Sequence, residues 1–144
     1  MSALPHPHRL APIDFRALAS FRQALRKFLY FSASAAKKVG LTTQHYQALL
    51  ALKAASIDGQ FTVGDLSKEL LLRHHSAVEL LNRLETRALV RRERSSEDRR
   101  KVHIYLTPKG ESLIGKLAAS HREELRSMVP KMQKALAIVA KRRK

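Results

Sequence analysis

Apolar residues recur at steps of three and four along the first part of the chain, which is the spacing of one helix face. From about residue 13 to residue 39 this stripe contains Leu18, Phe21, Leu25, Phe28 and Leu29. Gly40 is expected to stop the helix, and Thr42 or Thr43 can cap a second helix that ends near Ala55. The pattern therefore predicts two helices before the turn at residues 58–59.

The next segment predicts two shorter helices. Thr62 and Asp65 have the spacing of a capping box, in which a hydroxyl and a carboxylate satisfy free N–H groups at a helix start. After a break near Leu72, residues from about 75 to 87 have an apolar side that is expected to pack inward: Val78, Leu81, Leu84 and Ala88. Their polar residues form one outward sector, expected to be available to a partner: Ser76, Glu79, Arg83 and Arg87.

The period then changes from that of a helix to that of a strand. Residues 89–94 and 101–106 predict two strands, the second alternating Val102, Ile104 and Leu106 against Lys101, His103 and Tyr105. The polar segment 95–100 joins them as a β-hairpin with a charged tip. Thr107 and Pro108 then begin a long apolar helix, which Pro130 is expected to kink or divide.

The net charge of the chain indicates a binding partner. The 144 residues include 28 Lys and Arg against 12 Asp and Glu, a formal net charge of +16. Residues 1–57 contain one acidic side chain, Asp14, and none follows Glu124. Because folding does not require such an excess, and because each neutralised phosphate releases condensed counterions, a polyanion is the expected partner.

Several classes of protein are excluded or disfavoured by the sequence. No apolar run approaches the roughly 18 residues of a membrane span, and the start of the chain does not resemble a secretory signal, so a cytoplasmic location is expected. The absence of cysteine excludes disulfides and thiolate chemistry. His74 and His75 are adjacent and cannot easily chelate one ion. With no nucleophile motif, phosphate-binding glycine loop or paired carboxylates, we expect no enzyme, no metal and no cofactor.

Helix, turn, helix and basic hairpin together place one helix in the major groove of DNA and an arm beside it. Nine Lys or Arg lie between residues 73 and 101. The second helix of this helix-turn-helix, predicted over residues 75–87, offers N–H groups for phosphate and side chains for base edges. The candidate contacts on this helix or just before it are Arg73, His74, His75, Ser76 and Arg83. Glu79 and Arg83 could instead form a surface ion pair. The hairpin candidates are Arg94, Asp98, Arg99 and Arg100.

Three segments resemble the multiple antibiotic resistance regulator (MarR) family of bacterial transcription factors: LTTQHYQALLAL, TVGDLSKELLLRHHSAVELLNRLETRALVRR and EDRRKVHIYLTPKG. The resemblance covers roughly residues 13–128, and its most specific part is Asp98-x-Arg100 followed by Leu106-Thr107-x-x-Gly110. It implies a homodimer that binds a pseudo-palindromic operator, usually as a repressor released by a small-molecule effector. It also implies that Arg100 enters the minor groove and that Asp98 holds it in position.

The expected fold is mainly α with a small β-hairpin, a winged helix-turn-helix with N- and C-terminal dimerisation helices. A second copy would bury apolar stripes that one chain cannot cover. The expected divisions are a loose tail (1–12), a dimerisation helix with a supporting helix (13–57), the DNA-binding region (58–107), and C-terminal dimerisation helices with a basic tail (108–144).

The sequence departs from this expectation at one position and leaves several other points open. Where the family typically has glycine, this chain has Ala88, for which a left-handed backbone is costly, so the turn is expected to differ or the helix end to fray. Asp98 and Arg100 could also merely solvate a hairpin tip. The alternative function is a non-sequence-specific architectural DNA- or RNA-binding protein. The sequence leaves the operator, the effector and the direction of regulation open.

Overall fold

A computed structural model describes residues 10–141 of the chain. Its elements are α1 (Pro12–Lys38), α2 (Thr43–Ser56), α3 (Val63–Glu69), α4 (His74–Thr86), β1 (Val90–Arg94), β2 (Val102–Leu106) and α5 (Pro108–Ala140). This is the predicted order. Most of the predicted N-terminal tail, and the basic residues 142–144, lie outside the described residues.

The helix starts follow the local signals in the sequence. Thr42 caps α2: its hydroxyl accepts from His45 N at 3.1 Å, and Nδ1 of His45 accepts from Thr42 N at 3.1 Å. Thr62 caps α3 in the same reciprocal way with Asp65, at 3.2 and 2.9 Å. Both boxes satisfy N–H groups that have no partner inside the helix.

The chain forms two compact units. One contains the described residues up to 32 and from 121 onward, and the other contains residues 33–120, so α1 and α5 each contribute to both. The functional division predicted from the sequence, with a DNA-binding region at 58–107, stays a prediction.

The core of the 33–120 unit joins α2, α3, α4, the hairpin and the first turns of α5. Its largest fully buried side chains are Leu49, Leu66, Leu81, Leu84, Leu89, Val90, Ile104 and Ile114. Burying one such side chain contributes roughly 1.5–3 kcal/mol relative to leaving it exposed. This core fixes how α4 and the hairpin sit within one unit.

The inward face of α4 differs from the predicted one. Its buried residues are Ala77, Leu80, Leu81 and Leu84, whereas Val78 is half-buried. Ala88 was expected to pack inward and is exposed, because α4 ends at Thr86 and Ala88 no longer follows helical periodicity.

Ala88 itself adopts the left-handed backbone that was expected to be avoided, with φ of 59°. Its N–H bonds to Glu85 O at 2.9 Å and that of Leu89 bonds to Leu84 O at 3.0 Å. These two bonds form a Schellman motif, which satisfies the last helical carbonyls. The expectation of a different turn or a frayed helix end was therefore wrong.

The two strands pair antiparallel, with Val90 opposite Leu106 and Arg94 opposite Val102. A third segment joins them: Ile104 N donates to Phe61 O at 2.8 Å, and Thr62 forms a bridge with His103. The predicted alternation placed His103 on the polar side of β2. The structure buries it to 7% exposure, because the segment before α3 lies against β2 there.

Helix α5 is one element of 33 residues, and Pro130 lies inside it without dividing it. Its start is tied to the turn after α4. The Thr107 hydroxyl accepts from Gly110 N at 3.1 Å and donates to Ala88 O at 2.6 Å. A Cβ at Gly110 would lie 2.1 Å from Leu89 O, so only glycine fits this approach. No helix of the described residues is long and apolar enough to cross a membrane.

In the unit formed by residues 10–32 and 121–141, the buried apolar side chains are small: Ala17, Ala24 and Ala135. Nε2 of His121 lies 2.9 Å from Ser32 Oγ, with both residues buried and two phenylalanine rings edge-on to the imidazole. Two residues of the predicted apolar stripe, Leu18 and Leu29, are exposed. Other large apolar side chains that are exposed in this unit include Ile13, Phe15, Leu125, Leu136 and Val139.

Candidate nucleic-acid interface

The start of α4 lacks a side-chain cap. Its N-cap residue is Arg73, which makes no side-chain capping bond, and the preceding turn contains Leu71 at φ of 55°. Arg73, His74 and His75 are exposed, and Ser76 is half-buried. The free N–H groups of the first turn and the positive end of the helix dipole therefore favour an anion at this place.

Arg83 lies further along the same helix. It is exposed, and it forms no ion pair with Glu79, which was the alternative weighed for these two residues. Its guanidinium therefore remains available on the outward sector of α4.

Arg87 was expected in that outward sector, and this expectation was wrong. Its guanidinium donates to the carbonyls of Gly40 and Val39 at the end of α1. Its own carbonyl accepts from Lys109 Nζ at 3.1 Å. Arg87 therefore supplies the cationic C-terminal interaction that helix carbonyls favour.

Cations of β1 also differ in their surroundings. Arg91 pairs with Glu93 at 3.0 Å, and its guanidinium lies 4.4 Å from the centre of the Tyr105 ring. Arg92 bonds to Glu85 and Asn82 on α4. Arg94 is exposed, and no ion pair or side-chain hydrogen bond is formed by it among residues 10–141. From the sequence alone, these three arginines were simply members of the nine Lys or Arg of residues 73–101.

The hairpin tip holds one arginine outward. Asp98 Oδ1 accepts from Arg100 N at 3.0 Å and from Arg100 Nε at 3.3 Å. The Arg100 side chain is 93% exposed and that of Asp98 is 36% exposed. The carboxylate thus restrains a guanidinium whose remaining N–H groups point to solvent, next to the exposed Arg99 and Lys101.

Arginines on and beside α4 contribute to shifts in the pKa values of two side chains, those of Glu85 and His45. The hydrogen bond from Arg92, followed by its charge, lowers the pKa of Glu85 below its usual value. Burial, followed by the charges of Arg87 and Arg83, lowers the pKa of His45. The neutral imidazole of His45 is also the form that accepts the Thr42 N–H.

Residues 39–101 match the MarR family model. A curated relative from Bacillus subtilis, YsmB, described as an uncharacterised HTH-type transcriptional regulator, is 36% identical over 70 residues. That match covers 49% of this chain and 48% of YsmB, so the chain spans about half the length of the curated relative it matches.

Several solved structures share the fold of this chain. A mutant of Staphylococcus aureus MepR bound to an oligodeoxyribonucleotide gives a TM-score of 0.66 at 24% identity, covering 76% of this chain and 79% of that one. AbsC from Streptomyces coelicolor gives 0.68 at 24% identity, covering 91% and 94%. These likenesses confirm the predicted fold class, a winged helix-turn-helix with additional terminal helices.

The intramolecular partners of Arg87 and Arg92 were missed from the sequence. Asn82 and Glu85 are three residues apart and so share one helix face, which was the available signal for the Arg92 contact. Nothing local to Arg87 indicated its contact with residue 40, since the two residues are far apart in the sequence.

Proposed function

We propose that this chain is a sequence-specific DNA-binding transcription regulator of the MarR family that acts as a homodimer on a pseudo-palindromic operator. The observation that carries the proposal is the Asp98–Arg100 arrangement at the hairpin tip. A planar, permanently charged guanidinium held outward by a carboxylate suits a narrow, negative minor groove.

The start of α4 supports a second, adjacent contact. Its uncapped N–H groups suit a DNA phosphate, and Arg73, His74, His75 and Ser76 can reach base edges in the major groove. Arg83 suits the phosphate backbone. The hairpin then adds Arg94, Arg99 and Arg100. An oligodeoxyribonucleotide complex is known for MepR, a protein of the same fold.

The exposed apolar side chains of α1 and α5 support the homodimer. Ile13, Phe15, Leu136 and Val139 are each more than two-fifths exposed, an arrangement that a second copy would cover. Release of a repressor by a small-molecule effector is the form of regulation we propose. Such a regulator would act in the cytoplasm and would not be an enzyme.

A second candidate function is architectural binding of DNA or RNA without sequence preference. It is favoured by the terminal helices, because residues 10–32 and 121–141 hold nine Lys or Arg against three acidic residues. Charge spread over both units would bind a polyanion whatever its sequence.

The test begins with genomic footprinting to find the best site, followed by anisotropy measurements with that site as a labelled duplex. Random duplex and structured RNA serve as competitors. Regulator function requires the genomic site to be preferred by at least about a thousandfold. If random duplex and structured RNA compete as well as the unlabelled genomic site, the architectural function is supported, and no binding to any of the three nucleic acids would refute both functions.

Arg100→Ala is the sharpest variant for this proposal. We expect it to weaken operator binding by roughly 1–3 kcal/mol, because the wing loses its groove contact. Arg22→Ala removes the same charge from an exposed position on α1 and is expected to change the affinity far less. Equal effects of the two variants would contradict the proposed role of the wing.

A further inference from the structure

One arginine of the hairpin points back to α4 instead of toward solvent. Arg92 Nε lies 3.2 Å from Glu85 Oε2, and its terminal nitrogen lies 3.2 Å from Glu85 Oε1 and 2.6 Å from Asn82 Oδ1. The Arg92 side chain is 28% exposed, compared with 93% for Arg100. Arg92 therefore contacts α4 from the middle of β1 and does not belong to the hairpin tip.

The geometry of this contact is that of a two-pronged clamp. Both carboxylate oxygens of Glu85 face the guanidinium, which is the bidentate arrangement that adds directional restraint to charge. Asn82 lies one turn earlier on the same helix face and accepts a third bond. Three bonds thus join the third residue of β1 to the last two turns of α4.

The clamp spans the turn that sets the hairpin angle. Between Glu85 and Arg92 the chain leaves α4 through the left-handed Ala88 and enters β1 at Val90. Strands of five residues extend roughly 17 Å. A rotation of about 10° at the turn would therefore move the hairpin tip by roughly 3 Å, which exceeds the tolerance of a hydrogen bond.

We propose that Arg92, with Glu85 and Asn82, is a positioning residue that fixes the angle between α4 and the hairpin. In this way Ser76 and Arg100 reach successive grooves of one DNA site together. The inference rests on the proposed DNA-binding function. The competing role for Arg92 is a direct phosphate contact, as for any exposed arginine of a basic hairpin.

The two roles predict opposite results for salt dependence and for Glu85. A positioning residue lowers affinity when replaced but leaves the slope of log K against log salt unchanged, since it neutralises no phosphate. We expect Arg92→Gln to weaken binding to the best genomic site three- to tenfold with an unchanged slope. Glu85→Ala should also weaken binding, although it removes a negative charge and so makes the protein more positive.

A charge exchange completes the test. The double variant Glu85→Arg with Arg92→Glu keeps the net charge of the protein and the ion pair, so its affinity is expected to recover to within about threefold of the unmodified protein. Arg94→Gln is the matched control from the same strand. As a proposed phosphate contact without an intramolecular partner, it is expected to reduce the salt slope by about one.

Several outcomes would overturn the inference. If Arg92→Gln lowers the salt slope as Arg94→Gln does, and Glu85→Ala tightens binding, Arg92 contacts phosphate. If the charge exchange binds no better than the single variants, the pair does not position the hairpin. Circular dichroism melts check folding, and if Arg92→Gln does not fold, Glu85→Ala and the charge exchange decide. An unmodified protein without any preferred site would refute the proposed function itself, and this inference with it.

Discussion

A single backbone angle shows how the fold overrides residue preference. Ala88 takes φ of 59°, a conformation that costs an L-residue other than glycine about 1–2 kcal/mol. The cost is accepted because the Schellman bonds, the Thr107 bond to Ala88 O, and the burial of Leu89 all require this turn. The strain is thus local, and the bonds that impose it come from three elements.

Ala88→Gly is therefore expected to stabilise the protein by about 0.5–1 kcal/mol, since relief of strain exceeds the added entropy of the unfolded chain. Urea unfolding measures the change. The control is Ala54→Gly, at an exposed right-handed position inside α2, which is expected to destabilise by about 1 kcal/mol. Destabilisation by both variants would contradict the left-handed assignment.

His45 predicts a pH dependence of stability. Its pKa is lowered from 6.5 in the folded protein, by burial and then by the charges of Arg87 and Arg83. The unfolded chain therefore binds a proton at a higher pH than the folded one. The contribution of neutral His45 to the free energy of unfolding is fully present above about pH 6.5. It is lost as the pH falls from there through the lowered pKa of His45 in the folded protein.

His45→Gln can keep an acceptor for the Thr42 N–H without titrating. We expect the loss of stability between pH 7.5 and pH 5.5 to be smaller in this variant than in the unmodified protein. Urea unfolding at both pH values measures the difference. Identical losses in the two proteins would show that His45 does not contribute.

At the scale of elements, the start of α5 explains the spacing of the motif Thr107-x-x-Gly110. The Thr107 hydroxyl caps the helix three residues before Gly110, and Gly110 lets the helix approach the carbonyl of Leu89. The motif therefore places α5 against the turn that leads into β1. Sequence reasoning identified the cap but not the close approach.

Gly110→Ala is expected to destabilise the protein by roughly 1–3 kcal/mol, because the added Cβ meets backbone that cannot move aside cheaply. Gly115→Ala is the matched control on the same helix, where a Cβ would meet nothing within 4 Å. It is expected to stabilise by about 0.5–1 kcal/mol. Equal effects would refute the close approach.

The hairpin tip gives a prediction about DNA affinity. Asp98→Ala is expected to weaken operator binding by about 1 kcal/mol although it makes the protein more positive, because Arg100 loses its restraint. Glu97→Ala makes the same change of charge next to it and removes no contact to Arg100. Anisotropy titrations of both variants test this, and tighter binding by Asp98→Ala would contradict the restraint.

At the scale of the whole molecule, the uncovered apolar side chains of the terminal helices predict the oligomeric state. We expect a mass in solution of twice 16.3 kDa, with Phe15→Glu and Leu136→Glu shifting the protein toward monomer. Ile57→Glu changes an equally apolar residue, 79% exposed, outside these helices. It is expected to leave the mass unchanged.

Sedimentation velocity measures these masses directly. A monomeric unmodified protein would contradict the proposed dimer, and dissociation by Ile57→Glu alone would move the interface away from the terminal helices. Operator affinity should fall together with dimer content, because a pseudo-palindromic site is read by two copies.

The order of elements, the helix starts and the basic hairpin could be predicted from the sequence. Helix periodicity, capping boxes and strand alternation each involve residues that are close together in the sequence, so they can be identified from the sequence alone. The same holds for Asp98 and Arg100, which are two residues apart. These signals were enough to indicate the fold class and the MarR resemblance.

Only the tertiary structure decided which side chains are covered and which cations are engaged. The pairing of Phe61 with Ile104 buried His103, the end of α1 engaged Arg87, and α4 engaged Arg92. The burial of His103 and the contacts of Arg87 and Arg92 all depend on residues brought together from separate elements. A local sequence pattern indicates only that a residue is polar or apolar. The strain at Ala88 has the same origin, since packing of α4, β1 and α5 around one turn imposes an angle that alanine would otherwise avoid.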